Sequence, residues 1–247
     1  MFLATHSAGF GVGAAAAATD PTTGMRLWLR GTDLTQSGGL VSSWNDKSGN
    51  SYHFTQSTDS LKPTYDATGG PLSTPILTFD GTADYLASTA VVSDIKAAGA
   101  GTVFIVFKAT SAGGDDIATS ASLKLTLLAD TGDYLKYGLG ATKTWAANFD
   151  GSYDVNQLAF STGTWYIMEA RHESGTWYER ISGVTEASKA SGNTQVLTNV
   201  LQVGWDIGAG TFLAGSIAEI IAYNTALSTA DLTTTSSYLQ GRYGLAR

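Results

Sequence analysis

Apolar and polar residues alternate with a period of two over many short stretches of the 247-residue chain, with Gly, Pro, Asn and Asp between them. That period puts successive side chains on opposite faces of a strand, so each stretch predicts a half-buried β-strand. Met25, Leu27 and Leu29 alternate with Arg26, Trp28 and Arg30, and residues 31–39 predict a loop. Short strands are expected over 41–46, 52–56, 76–79 and 84–88, with Pro63, Pro71 and Pro75 marking an irregular connection. Residues 102–108, TVFIVFK, are the most apolar run and predict a central strand covered on both faces. Hairpins are predicted for 123–128 with 134–139 and for 165–172 with 176–181, the second turning at Glu173-Ser174-Gly175. Strands over 200–205 and 212–223 complete the set. In the last of these, Glu219 is expected to point away from Ile217 and Ile221, towards a sheet-edge hydrogen bond or solvent.

One helix is expected, near the C-terminus. Ser228 is a good N-cap, Asp231 stands at N3 as an aspartate version of the capping box, and Gly244 is placed to end the helix. Leu232, Leu239 and Tyr243 fall on one side. Thr233, Thr234 and Thr235 are weak helix formers, so packing of that side must supply most of its stability. Turn-bounded strands followed by one helix predict an all-β fold: a two-sheet β-sandwich of jelly-roll type with a short C-terminal α-helix. No linker or internal repeat divides the chain. The expected organisation is a Gly/Ala-rich arm over residues 1–24 and one domain over 25–247.

Charge narrows the partners. Lys and Arg number 14 against 21 Asp and Glu, a net charge of −7, and no basic run occurs. A phosphate-binding footprint is missing, so nucleic acid is not an expected partner. Charged residues make up 14% of the chain, which leaves the surface to neutral hydroxyls and amides. There is no cysteine, which excludes disulfides, thiolate chemistry and Cys zinc sites. No apolar run approaches the ~18 residues of a membrane span, so no membrane partner is expected. The N-terminal segment has no basic residue before Arg26, and Gly9, Gly11 and Gly13 break its apolar stretch, so no signal peptide is expected. The arm is expected to dock on its own domain or on a neighbouring subunit.

Three segments carry a family resemblance: Trp44-Asn45-Asp46-Lys47-Ser48-Gly49-Asn50; Phe79-Asp80-Gly81 with Asp84-Tyr85-Leu86; and FLAGSIAEIIAYN over 212–224. The third continues into the capped helix with Tyr238-Leu239 and Tyr243-Gly244. Together they bracket residues 25–244, and the chain resembles the LamG-like jelly-roll domains of the concanavalin A-like lectin/glucanase superfamily. The resemblance implies two sheets with one concave face. It also implies binding of glycans or proteins or a structural role, with glycoside hydrolases and polysaccharide lyases among the relatives. Asp46 and Asp80 are read as tying corners rather than binding ligand.

A hydrolase needs two carboxylates flanking the scissile bond. The Glu-x-Asp-x-x-Glu strand of the superfamily's hydrolases is missing, and only five glutamates are present. Glu169 and Glu173 are four apart, but Glu173 falls in a turn and Glu179 lies across the hairpin. A lyase would draw on Arg171, His172 and Tyr178, yet Arg171 and His172 are adjacent and point to opposite faces. The Gln-Ile-His element of alginate-lyase relatives is absent. No catalytic residue is assigned, and the protein is expected not to be an enzyme. No cofactor or metal site is assigned either; Asp115-Asp116, Asp130 with Asp133, and Asp150 with Asp154 are carboxylates of the kind Ca²⁺ takes, but their default role is in turns.

Sugar faces stack on aromatic rings, with Asp, Asn and Gln around them. On that pattern the candidate glycan surface is Trp145, Asn148, Asp150, Tyr153, Asp154, Trp177 and Trp205. Trp28, Trp44 and Trp165 are expected in the core, while Trp145 fits surface and core equally. The expected function is a non-catalytic module for glycan binding or attachment in a viral particle or extracellular assembly. The alternative is a structural assembly subunit with no glycan ligand. Expected partners are a glycan or neighbouring protein subunits, including copies of this chain assembled through residues 1–24.

Overall fold

A computed structural model of the chain describes residues 20–95, 97, 99–110, 135–139, 143–148, 158–190, 200–206 and 211–247. These are mostly β with one long C-terminal helix. The strands begin with β1 (Leu27–Ser37), β2 (Leu40–Asp46), β3 (Phe54–Thr55), β4 (Thr64–Asp66), β5 (Ile76–Asp80) and β6 (Leu86–Val91). After a single helical turn, α1 (Val92–Ile95), come β7 (Ala100–Ala109), β8 (Leu135–Leu139), β9 (Lys143–Asn148) and β10 (Leu158–Ala159). Then follow β11 (Trp165–Glu173), β12 (Thr176–Ile181), β13 (Ala187–Ala190), β14 (Val200–Val203), β15 (Trp205–Asp206), β16 (Thr211–Phe212) and β17 (Ala214–Tyr223), closed by α2 (Thr229–Tyr243).

Of the expected loop over 31–39, residues 31–37 are instead the second half of β1, and only Gly38-Gly39 turns. A Cβ at Gly31 would lie 2.0 Å from the Pro75 carbonyl oxygen, so glycine lets the strand pass beneath that connection without interruption. β1 pairs with β17 from Leu27↔Ala222 to Arg30↔Glu219, then with β2 up to Ser37↔Leu40 across the Gly38-Gly39 turn. Both turn glycines have positive φ, as a tight hairpin requires. β2 pairs with β4, β4 with β5 and β5 with β17, so β1, β2, β4, β5 and β17 close into a five-strand ring. From β17 the sheet continues through β7, β11, β12 and β13, and from β2 through β3, β6 and β14. A separate sheet of β10, β9 and β8 approaches β12. The expected partner of β8, residues 123–128, lies outside the described residues; the neighbour described for β8 is β9.

Two apolar cores lie on the two faces of the central strands. The inner one gathers Leu27, Leu29, Trp44, Ile105, Phe107 and Ile217. The outer one, beneath α2, gathers Trp28, Phe104, Val106, Ile221, Leu239 and Tyr243. β7 contributes alternate residues to both, as its apolar run predicts. Trp44 is fully buried, Trp28 nearly so, and Trp165 is half-buried at the margin of the outer core. α2 begins where its caps place it: the Asp231 amide donates to Ser228 Oγ at 3.2 Å, and Gly244 ends it at φ 64°. Leu232, Leu239 and Tyr243 are buried on one side.

Glu219 corrects the reading of β17. The register against β7 steps from Ile217↔Phe107 to Glu219↔Val106, leaving Ala218 as an extra residue in a β-bulge. Ala218 and Glu219 therefore both face α2, Ile217 faces the inner core, and Ile221 shares the outer core. Far from solvent, Glu219 is 1% exposed. Its Oε1 accepts from Trp28 Nε1 at 2.6 Å and Tyr238 OH at 2.9 Å, and its Oε2 accepts from Tyr243 OH at 2.6 Å, with Arg242 Nε 3.4 Å away. Burial raises its pKa, and these hydrogen bonds and Arg242 work against that rise. Glu169 is likewise buried, near Ser236 of α2, and is paired with Arg247 at 3.1 Å.

The two ends of the described chain meet on this outer face. Tyr223 OH donates to the Thr22 carbonyl at 2.9 Å, and the Thr22 amide donates to Thr235 Oγ1 at 3.4 Å. Residues 20–24 thus lie on their own domain, while residues 1–19 of the expected arm lie outside the described residues.

Candidate functional site

The strongest candidate is at the edge of the sheet, where the turn after β5 meets the end of β14. Asp80 organises that turn. Its Oδ1 accepts from the amides of Thr82 at 2.8 Å, Ala83 at 2.9 Å and Asp84 at 3.2 Å, and its Oδ2 takes the Thr82 hydroxyl. The Asp80 amide in return donates to Asp84 Oδ2 at 3.0 Å. This is the corner role expected for Asp80. Asp46 has the same role at the other corner, where it accepts from the amides of Trp28, Ser48 and Tyr52.

Gly204 fixes the opposite side. It has φ 94°, and a Cβ there would fall 2.5 Å from the Phe79 ring and 2.8 Å from the Asp84 carbonyl oxygen. The chain can turn this close to the Asp80 corner only with glycine, and the turn divides the expected strand over 200–205 into β14 and β15. Trp205 follows directly and pairs across the β15–β16 hairpin with Phe212. The two rings stack at 5.8 Å and 5°, and Tyr85 also meets Trp205, at 4.9 Å and 50°. All three aromatic residues are half-buried. The Tyr85 amide donates to the Leu61 carbonyl at 3.0 Å, which holds its backbone in place.

The two carboxylates titrate apart. Burial acts to raise Asp80, but the Thr82 hydroxyl and the three amides outweigh it and hold it at about 2. Asp84, 6% exposed, is pushed up to about 6 by burial and then by the Asp80 charge, against the pull of the Asp80 amide. A raised carboxyl pKa means that the folded state holds this proton more tightly than the unfolded chain. Asp84's stabilising contribution is therefore fully present below its unfolded value near 3.8 and is lost as pH rises through about 6. Asp84→Asn, which keeps an acceptor for the Asp80 amide, is expected to flatten the fall in stability between pH 4 and pH 6. Urea unfolding of both proteins across that range checks it; parallel pH profiles would count against the assignment.

Of the residues expected to form a glycan surface, Trp205 lies at this site. Trp177 does not: it is 1% exposed and stacks on His172 at 4.6 Å and 9° on the inner face. Hairpin register pairs Trp177 with His172, in the part of the sheet that β9 and β10 approach. Trp145 and Asn148 lie on β9, opposite Gly138 and Leu135. Asp150, Tyr153 and Asp154 lie outside the described residues, as do all the aspartates considered for Ca²⁺. Among the described residues no group of three or more His, Asp or Glu is placed to hold a metal. Arg171 sits over the Tyr178 ring at 4.2 Å while the adjacent His172 is buried on the opposite face, so these residues do not converge on one site.

The sequence reading missed Tyr85, Phe212 and Asp84 as site residues. In the sequence Asp84-Tyr85 only opens the strand expected over 84–88, and nothing local signals that Trp205 meets it.

No family model matches the sequence, and neither does any of the curated proteins. The fold does have solved counterparts. Domain 4 of AbnA, an extracellular GH43 arabinanase of Geobacillus stearothermophilus solved with arabinotriose, aligns with TM-score 0.54 and 14% identity over 87% of this chain and 98% of its own. The botulinum neurotoxin serotype G binding domain aligns with TM-score 0.60 and 11% identity, over 87% of this chain and 50% of that one. Trypanosoma rangeli sialidase in complex with a difluorinated nonulosonic acid gives TM-score 0.57 and 12% identity, over 90% of this chain and 33% of the sialidase. At such identities the likeness is one of fold: this chain is built like β-rich domains that occur in glycan-binding and glycosidase proteins.

Proposed function

We propose that this chain is a non-catalytic glycan-binding module, a LamG-like jelly roll of two sheets, that holds its ligand at the Tyr85–Trp205–Phe212 edge. The observation that carries the reading is Trp205, partly exposed and held in contact with two further aromatic rings, Tyr85 and Phe212. A ring fixed in this way can stack on the apolar face of a sugar with little further loss of freedom. The Asp80–Asp84 turn adjoins it, with the Asp84 carbonyl packed against Gly204, the residue before Trp205. The arabinotriose complex of a domain with the same fold supports a sugar as the ligand class.

The non-catalytic part of the reading draws support from the placement of the glutamates. Glu219 and Glu169 are buried and tied to the helix and to Arg247, and Glu173 pairs with Arg171 and Glu186 with Arg180. We further propose that the module serves attachment in an extracellular or virion assembly, as a surface rich in uncharged hydroxyls and amides suits. Trp205→Ala is expected to weaken binding on an array of neutral and acidic oligosaccharides by about 30-fold or more, the effect of truncating a central aromatic anchor. Binding unchanged by that substitution, or no binding by the parent protein, would overturn the reading.

A further inference from the structure

We infer that Gln202 is the polar ligand-binding residue of this edge, its side-chain amide oxygen accepting a hydrogen bond from a hydroxyl of the sugar that stacks on Trp205. The inference rests on the glycan-binding reading and deepens it by naming the donor that the ligand must bring. It begins with an unused hydrogen-bonding atom. Gln202 stands on β14 and is 5% exposed, and its Oε1 is shut off from solvent with no hydrogen-bond partner. An amide oxygen buried without a donor costs the fold stability, so the fold itself gives no reason for a glutamine here. Leucine or methionine would fill the same place without that cost.

Register puts this amide on the same face as the aromatic rings. β14 pairs with β6 at Gln202↔Ala87 and Val203↔Leu86, and directly opposed residues of an antiparallel pair share a face. Burial alternates along β6 and the two residues before it: Asp84, Leu86 and Ser88 are buried, whereas Tyr85 and Ala87 are half-buried. Leu86, Leu201 and Val203 belong to the inner core, so Tyr85, Ala87 and Gln202 share the opposite face. Gln202 and Tyr85 are diagonal neighbours there, about 7–8 Å apart at the backbone, a gap that a glutamine side chain can span. The Tyr85 ring in turn meets Trp205 at 4.9 Å. Gly204, with φ 94°, makes the turn that brings Trp205 back to this ring. Among the described residues β14 has β6 as its single neighbour, so Gln202 stands on the last strand of its sheet. Swinging the amide towards a ligand breaks no hydrogen bond to its oxygen. A sugar hydroxyl beside the stacked face is the donor that this oxygen lacks, and an O-methylated sugar has none to give.

The test pairs affinity with thermal stability, using the intact chain and three probes: arabinotriose, cellotetraose and lacto-N-tetraose. Gln202→Met keeps the length of the side chain and removes the acceptor. It is expected to weaken the tightest-bound probe by about tenfold, the effect of losing one hydrogen bond in a partly dry site. The same variant should melt at or above the parent's temperature, because the folded state sheds an unpaired polar atom and loses no hydrogen bond to it. The fully O-methylated form of that probe should bind the parent and the variant equally weakly. A variant that binds within about twofold of the parent, or whose melting temperature falls along with its affinity, would overturn the inference by showing that the amide serves the fold. Trp205→Ala keeps the two readings apart. If it weakens binding while Gln202→Met does not, the glycan-binding reading stands and this inference falls. Binding that is indifferent to Trp205, or no binding of any probe by the parent, would remove both.

Discussion

Glu219→Ala is expected to lower the stability of the fold by about 3–5 kcal/mol, more than most single substitutions do. The side chain is 1% exposed and gathers donors from three places in the chain: Trp28 on β1, and Tyr238 and Tyr243 on α2. Removing it leaves the Trp28 indole N–H and the Tyr238 hydroxyl without this acceptor in an apolar layer, Tyr243 OH with only the Ala218 carbonyl at 3.5 Å, and Arg242 without its nearest anion. An orphaned buried donor costs more than the hydrogen bond it lost contributed. Glu219→Gln separates the two effects. The amide oxygen can still take Trp28 and Tyr238, but the amide nitrogen meets Arg242, so a smaller cost of roughly 1–3 kcal/mol is expected. Urea midpoints at constant slope measure both. An alanine variant within about 1 kcal/mol of the parent would show that the network contributes specificity of packing rather than stability.

Glu219 also marks where sequence reasoning lost the structure. On a regular strand residues two apart share a face, so 217, 219 and 221 should lie together, and neither that pattern nor the expected outward glutamate describes β17. The bulge at Ala218 depends on register against β7, which is set by side chains a hundred residues away and leaves no local mark. Features whose causes are local were legible. The caps of α2 read directly from Ser228, Asp231 and Gly244, the corners from Asp46 and Asp80, and the buried central strand from its apolar run. The loop expected over 31–39 failed because two glycines in sequence look like a break, whereas Gly31 is there for a close pass under Pro75.

The candidate site divides along the same line. Trp177 and Trp205 have similar local surroundings in sequence, and residue type could nominate both. Their fates are set by long-range placement. Trp177 stands opposite His172 in a hairpin whose inner face is closed, while Trp205 follows a left-handed glycine that swings it out to the sheet edge. Tyr85 and Phe212 join Trp205 through the pairing of β6 with β14, which brings the Asp80 corner up to Gly204.

Deleting residues 228–247 is expected to abolish cooperative folding. α2 has little intrinsic helicity, with three consecutive threonines in its second turn, so it is held by its packed side and in turn covers the sheet. Leu232, Tyr238, Leu239 and Tyr243 are each 5% exposed or less. At about 1.5–3 kcal/mol for each large apolar side chain buried, these four alone account for roughly 6–12 kcal/mol. That is comparable to the ~5–15 kcal/mol that separates a folded domain from its unfolded chain. The deletion has a second cost on the sheet side. Trp28, Phe104, Val106 and Ile221 would face water, and Glu219 would lose both tyrosine donors. Because β1 and β17 carry this outer layer on one face and part of the inner core on the other, the loss extends into the five-strand ring that they help to close. A thermal melt followed by far-UV and near-UV circular dichroism tests this. The truncated chain should show no sharp transition and bind a hydrophobic dye, whereas a cooperative melt at the parent's midpoint would mean that the sheet holds its outer face without the helix.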